Sequence, residues 1–175
     1  MGWWIILTVV FELSCDYNEF CRYYESVLEN VEGRENGLMY FKQDPEQLIV
    51  WREDDEIVGH AIWHHCSTDE HQPGDQRNDA DQTLLRELFS GKMDIIELHE
   101  VWLKKEHRGK GYGAQFFAYF EELMRRKHQT EIAYYAYNPA ALAICRKRGY
   151  KLGCCLHQPG FEGNIEKTYV IRISL

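Results

Sequence analysis

The sequence predicts a mixed α/β domain spanning residues 1–175, and three observations predict it. Short runs of β-branched and aromatic residues alternate with amphipathic segments of helical period. A glycine-rich turn, Arg108-Gly109-Lys110-Gly111-Tyr112-Gly113, joins the strongest mid-chain apolar run to the best helical one. At 175 residues and 45% hydrophobic, the chain can build a core, and it shows no repeat, linker or low-complexity tract.

Residues 3–13 form the first expected strand, because Ile5, Ile6, Val9 and Val10 favour β structure. Asp16 then caps a helix to about Asn30, with Phe20, Tyr23, Tyr24, Val27 and Leu28 on one side. Gly33 and Gly37 mark irregular chain. Leu48 to Glu53 and Ile57 to Cys66 are strands joined by a hairpin turn at Asp54-Asp55. Residues 67–80, with Pro73 and Gly74, are polar and loop-like. A short helix over 81–90 ends at Gly91, and Ile95 to Leu103 is a strand.

The helix over 111–127 carries Phe116, Phe117, Phe120, Leu123 and Met124 at helical spacing. Arg125, Arg126 and Lys127 stand at the negative end of its dipole. Ile132 to Tyr137 is a strand. Asn138-Pro139 starts a helix, as cap and first residue, that ends at Gly149. Tyr150–His157 and Ile165–Ile173 are the final strands, around a turn near Pro159-Gly160.

The net charge of −8 argues against non-specific binding of nucleic acid or anionic membrane. Cys15, Cys21, Cys66, Cys145, Cys154 and Cys155 form no C-x-x-C pair, so reduced thiols and a cytoplasmic location are expected. Cys66 with His64, His65 and His71, and Cys154 and Cys155 with His157, lack a second pair at zinc-finger spacing; no metal is expected. Met1 to Val10 is apolar but lacks a basic flank and is too short to span a bilayer. Glu12-Leu13-Ser14-Cys15 is a poor lipoprotein cleavage site.

Bare backbone at a helix N-terminus suits phosphate. Three patterns compete for the glycine turn. A nucleotide triphosphate loop needs lysine and then serine or threonine after the last glycine, where Ala114 stands. A dinucleotide loop matches Gly109, Gly111 and Ala114, but the next strand ends in Tyr135-Ala136-Tyr137 with no acid for the ribose. The third pattern, Arg/Gln-x-x-Gly-x-Gly/Ala, fits Arg108, Gly111 and Gly113. Lys104, Lys105, Arg108 and Lys110, offset only by Glu106, make this loop basic within an acidic chain.

Leu98–Ala114, LHEVWLKKEHRGKGYGA, resembles the coenzyme A loop of the GNAT N-acetyltransferases. Asn138–Tyr150, NPAALAICRKRGY, resembles that family's second helix motif, and the specific likeness covers about residues 95–152. The resemblance implies a central mixed, mostly antiparallel, splayed sheet of about seven strands flanked by helices. It implies acetyl-CoA as cosubstrate. The pantetheine arm would lie along Val101, Trp102 and Leu103, with the Leu103 N–H near the thioester oxygen. The pyrophosphate would meet Arg108, Gly109, Lys110, Gly111, Tyr112, Gly113 and Ala114, and Asn138 would face the cofactor.

The implied reaction moves the acetyl group directly to an acceptor amine, which must lose a proton to a base. Glu97 and His99 lie two apart on a strand and share a face, eleven and nine residues before Arg108, where some family members carry the base. Glu97 would need its pKa raised by burial, whereas His99 starts near neutrality. Both are equally readable as ordinary strand residues, and Glu100 should face the other way unless a bulge intervenes. Cys145 stands where the family's proton-donating tyrosine is usual, as either donor or apolar filler. Tyr135 and Tyr137 are alternative donors, and the thiolate could also leave unassisted.

Acceptor-side elements are expected over 16–43 and 67–91. Asp69, Glu70, Asp75, Asp79 and Asp81 there either attract a cationic amine or keep a loop solvated. Trp63, Trp102 and Tyr137 are either aromatic walls or core. The acceptor would be a small molecule, peptide or protein bearing a primary amine. The rival expectations are a non-catalytic acyl-CoA-binding module, kept alive by Cys145, and a nucleotide-dependent oxidoreductase. The strand-forming C-terminus is a candidate for pairing across a homodimer.

Overall fold

Capping residues and turns place the elements largely where the sequence puts them. The structure, a computed structural model, describes residues 9–69, 79–91, 93–136, 138–159 and 165–175. Among these the chain forms β1 (Val10–Leu13), α1 (Tyr17–Val27), α2 (Val31–Gln43), β2 (Leu48–Glu53), β3 (Glu56–Ser67) and α3 (Asp79–Phe89). It continues with β4 (Asp94–Leu103), α4 (Tyr112–Arg126), β5 (Glu131–Ala136), α5 (Pro139–Lys147), β6 (Lys151–Pro159) and β7 (Ile165–Ser174). Residues 3–8 of the expected first strand, Pro73, Gly74, Tyr137 and Gly160 lie outside the described residues.

The seven described strands make one open mixed sheet in the order β1-β2-β3-β4-β5-β7-β6. β4 and β5 are parallel, pairing Ile96–Leu98 with Ile132–Tyr134. The β1–β2, β2–β3, β5–β7 and β6–β7 ladders are antiparallel. β7 lies between β5 and β6, so the C-terminal strand expected to pair across a dimer is already paired on both sides. The sheet edge at that end is β6. The chain divides into two compact units: Met1–Ile62 with Glu100–Phe116, and Trp63–His99 with Phe117–Leu175.

In the first unit, the Asp16 carboxylate caps α1 by accepting from the Glu19 N–H at 2.9 Å. The chain around Gly33 and Gly37, expected to be irregular, is instead helix α2, capped by Asn30, whose side-chain oxygen accepts from the Gly33 N–H at 2.8 Å. The reason is packing. A Cβ on Gly37 would stand 2.4 Å from the Tyr24 hydroxyl and 2.9 Å from Ile62 Cδ1. The glycine therefore lets α2 approach Tyr24 and Ile62 closely. Phe20, Tyr24, Tyr40, Phe41, Leu48, Val50 and Ile62 bury this core, each worth roughly 1.5–3 kcal/mol. Asp54 and Asp55 turn β2 into β3 with φ of 49° and 65°, as the paired left-handed residues of a tight hairpin.

In the second unit, α3 seats Leu85, Leu88 and Phe89 against Cys66, Ile95, Ala133 and Val170. Arg172 on β7 holds both Glu131 oxygens on β5 at 2.8 Å, and its other guanidinium nitrogen reaches the Leu88 carbonyl at 3.1 Å. α4 buries Phe117, Phe120, Leu123 and Met124, as its spacing predicts.

Candidate active site

The glycine turn belongs to the first unit and is held from two directions. After β4, the Lys104 N–H donates to the Val58 carbonyl at 2.9 Å, and a short 3-10 turn covers Lys105–His107. Gly109 and Gly111 then adopt φ of 81° and 83°, which side chains disfavour. The first turn of α4 opens with Gln115 N donating to the Gly111 carbonyl at 3.2 Å. The amides of Tyr112, Gly113 and Ala114 thus occupy the helix start, where N–H groups point outward and favour an anion.

Three of the four expected phosphate cations, Lys104, Arg108 and Lys110, are engaged within the protein. Arg108 Nε donates to the Leu103 carbonyl at 3.0 Å, and its guanidinium lies 5.7 Å from the Trp102 ring centroid. Lys104 pairs with Glu56 at 2.5 Å. Lys110 Nζ contacts both oxygens of Glu53 at 3.1 Å. Glu53 also accepts from His107 Nδ1 at 2.5 Å and from the Tyr112 hydroxyl. The Tyr112 bond, with those from Lys110 and His107, outweighs desolvation and lowers the Glu53 carboxyl below the usual range. Sequence reasoning missed Glu53, because its partners lie far along the chain. Its one local signal is an acid buried at a strand end.

In the second unit, Glu97 and His99 come together as their spacing predicts, with His99 Nδ1 3.4 Å from Glu97 Oε1. A third group joins them: His64 on β3, whose Nε2 stands 3.8 Å from the same oxygen. His64 Nδ1 donates to the His65 carbonyl at 3.0 Å. Glu97 is buried, but its carboxyl is not raised as the role of base would need. Desolvation raises it, while hydrogen bonds to His64 and His99 prevail and hold it well below the usual carboxylate range. Glu97 is therefore a fixed anion and a weak base. His99, with a side chain 23% exposed, is the more accessible member of the pair. His64 is one of three histidines on β3, with His60 and His65, and the sequence marks it only through its place beside Cys66 in a possible metal pattern.

Glu100 belongs to a different network, in the first unit. Its carboxylate lies 2.6 Å from His60 Nε2 and accepts from the Tyr24 hydroxyl at 2.7 Å. His60 Nδ1 is 2.9 Å from the Tyr23 hydroxyl. This network fastens α1 to β3 and β4.

Asn138 caps α5 through its side-chain oxygen, which accepts from the Ala140 N–H at 2.8 Å. Cys145 is wholly buried on α5, and burial pushes its thiol up to about 12. Trp63 is core, with Lys127 over its ring at 5.6 Å. Val101, Trp102 and Leu103 are half-buried. Asp69 pairs with Arg86 at 2.5 Å. Glu70, His71 and Asp75 lie outside the described residues, as do the side chains of Asp79, Asp81, Cys154, Cys155 and His157.

The model of the acetyltransferase (GNAT) family matches residues 15–150. The chain belongs to this family. GNAT membership indicates acetyl-CoA-dependent acetyl transfer. No curated protein matches the chain by sequence. The fold is shared with solved structures at low identity. One is an agmatine N-acetyltransferase in its apo form, with TM-score 0.72, 13% identity and coverage of 96% of this chain and 100% of that one. Another is the NatC complex bound to Gag peptide and CoA, with TM-score 0.66, 13% identity and coverage of 95% and 98%. A third is yncA, a putative acetyltransferase from Salmonella typhimurium with acetyl-CoA, with TM-score 0.63, 15% identity and coverage of 95% and 94%. No helix among the described residues is long and apolar enough to cross a membrane.

Proposed function

We propose that the protein is an N-acetyltransferase that moves the acetyl group of acetyl-CoA directly to the primary amine of a small molecule or peptide. The observation that carries this reading is the His99–Glu97 pair on β4, the strand that runs directly into the glycine turn. Glu97 accepts the Nδ1 proton of His99, which leaves Nε2 as the lone-pair nitrogen. Nε2 takes a proton from the acceptor ammonium. The amine lone pair then attacks the thioester carbonyl, forming the C–N bond. The oxyanion so formed is met by a fixed backbone donor, assigned by the family resemblance to the Leu103 N–H. Collapse breaks the C–S bond and releases coenzyme A thiolate, and the nitrogen gives up its surplus proton to solvent to leave the neutral amide.

Cys145 has no part in that release. A thiol pushed up to about 12 would give its proton uphill to a thiolate of ordinary basicity, near 8.5. The thiolate is instead protonated from solvent. The backbone amides at the start of α4 bind the pyrophosphate, with Gly109 and Gly111 supplying the bare left-handed backbone. An amine acceptor agrees with the structural relatives, one an agmatine N-acetyltransferase and another the NatC complex bound to Gag peptide.

A coenzyme A release assay across a panel of primary amines and peptides tests this proposal. Turnover of acetyl-CoA with at least one primary amine is expected, and Gly111→Trp should abolish acetyl-CoA binding. Acetyl-CoA binding without turnover on any acceptor would favour the acyl-CoA-binding module, the alternative that Cys145 in place of tyrosine supports.

A further inference from the structure

We propose that His64, Glu97 and His99 form a binding site for a divalent d-block ion of the zinc class. One ligand atom from each residue lies within 4.8 Å of the others. His99 Nδ1 and His64 Nε2 stand 3.4 and 3.8 Å from Glu97 Oε1. In a tetrahedral zinc site, bond lengths near 2.0–2.2 Å put neighbouring ligand atoms about 3.4 Å apart. The cluster therefore needs only small side-chain adjustments to close on an ion.

The chemistry of the donors selects the ion. Two imidazoles and one carboxylate suit zinc, cobalt or nickel, whereas magnesium and calcium favour all-oxygen shells. His64 is already oriented for the task. Its Nδ1–H donates to the His65 carbonyl at 3.0 Å, so Nε2, the nitrogen directed at Glu97, is the ligand atom, and an ion would replace the hydrogen bond it makes there. The ligands sit on β3 and β4, rigid elements that hold the donors in place. Three protein ligands leave a fourth position for water, the arrangement of an open zinc site.

Ion and proton compete at His99 Nδ1. Binding replaces the N–H bond there with a metal–nitrogen bond, the displaced proton passes to solvent, and Nε2 takes up a proton from solvent so that the ring stays neutral. An occupied site has no Nε2 lone pair with which to deprotonate an amine, so the ion is a reversible inhibitor. That consequence rests on the proposed function; binding of the ion does not.

Calorimetric titration of the full chain with Zn²⁺, with Co²⁺ absorption as a second probe, tests the site directly. A single ion per chain is expected, with tetrahedral cobalt bands. His64→Ala, Glu97→Gln and His99→Gln should each weaken binding by at least the ~10–100-fold lost on removing an outer partner. Cys15→Ser/Cys21→Ser should leave binding unchanged. X-ray absorption of the wild-type zinc complex should show a shell of nitrogen and oxygen only, which keeps the test independent of how the variants fold. Failure to bind, equal binding by the three variants, or a zinc–sulfur shell near 2.3 Å would each overturn the proposal. Chelator-reversible loss of turnover is expected as well. Zinc binding without such loss would remove His99 as the base and leave the metal site standing.

Discussion

The Glu53 carboxylate accepts a hydrogen bond from the Tyr112 hydroxyl, so the last residue of β2 is fastened to the first residue of α4. The same carboxylate holds Lys110 and His107, and so grips the glycine turn on both sides of Gly109. An anion beside an anion-binding loop costs some attraction for phosphate. It offsets this by fixing the turn before the ligand arrives, which reduces the ordering cost of binding.

Glu53→Gln should therefore weaken acetyl-CoA binding by about tenfold, equivalent to ~1.4 kcal/mol, and lower the melting temperature by about 2–8 °C. The stability effect depends on pH. The folded carboxyl lies below its unfolded value of about 4.3, so its contribution is present above that pH. It is lost as pH falls through the folded value. Wild-type and Glu53→Gln melting curves should differ at neutral pH and converge in acid. Thermal melts across an acid-to-neutral series check this, and a constant difference would show that the Glu53 charge is not what holds the turn.

Gly37 gives a sharper test of packing. Alanine has better helix propensity by about 1 kcal/mol, yet its Cβ would stand 2.4 Å from the Tyr24 hydroxyl. Overpacking of this kind costs about 1–3 kcal/mol, so Gly37→Ala should destabilise despite the propensity gain. Gly33→Ala meets nothing closer than 3.5 Å and should be neutral or stabilising. Denaturant unfolding of the two variants gives the comparison.

These two residues also show where the sequence stops being readable. Local chemistry was legible: Asp16 and Asn138-Pro139 as caps, Asp54-Asp55 as a turn, and the Gly109–Gly113 stretch as a turn into a helix. Gly37 was not, because the contact that requires a glycine comes from Tyr24 and Ile62 on other elements. Glu97 failed for the same reason. Burial alone predicts a raised carboxyl, but His64, supplied by a neighbouring strand, helps reverse the sign. A sequence shows a residue's own preference and not the partners that tertiary structure brings to it.

Cys145→Ala should leave kcat within about twofold of wild type while costing on the order of 1 kcal/mol in stability. The residue is wholly buried, and its thiol is held protonated by desolvation, which fits packing and not proton delivery. Steady-state turnover with thermal melting separates the two roles. A large fall in kcat at unchanged melting temperature would return the thiol to the mechanism.

His99→Gln should lower kcat by about 10²–10⁴-fold, the usual range for loss of a positioned base, and leave acetyl-CoA affinity unchanged. Glu97→Gln should lower kcat less. On the proposed function, Glu97 acts through His99 as a positioning residue: its charge would fix the Nδ1–H tautomer, and an amide in its place keeps the shape while removing that charge. Both variants should bind acetyl-CoA normally by calorimetry, because the glycine turn is held by Glu53 and Arg108 and not by this pair. If Glu97→Gln fell as far as His99→Gln, the carboxylate would itself handle the proton. If neither changed kcat, the amine would be deprotonated elsewhere, and the pair would be no more than a hydrogen-bonded feature of β4.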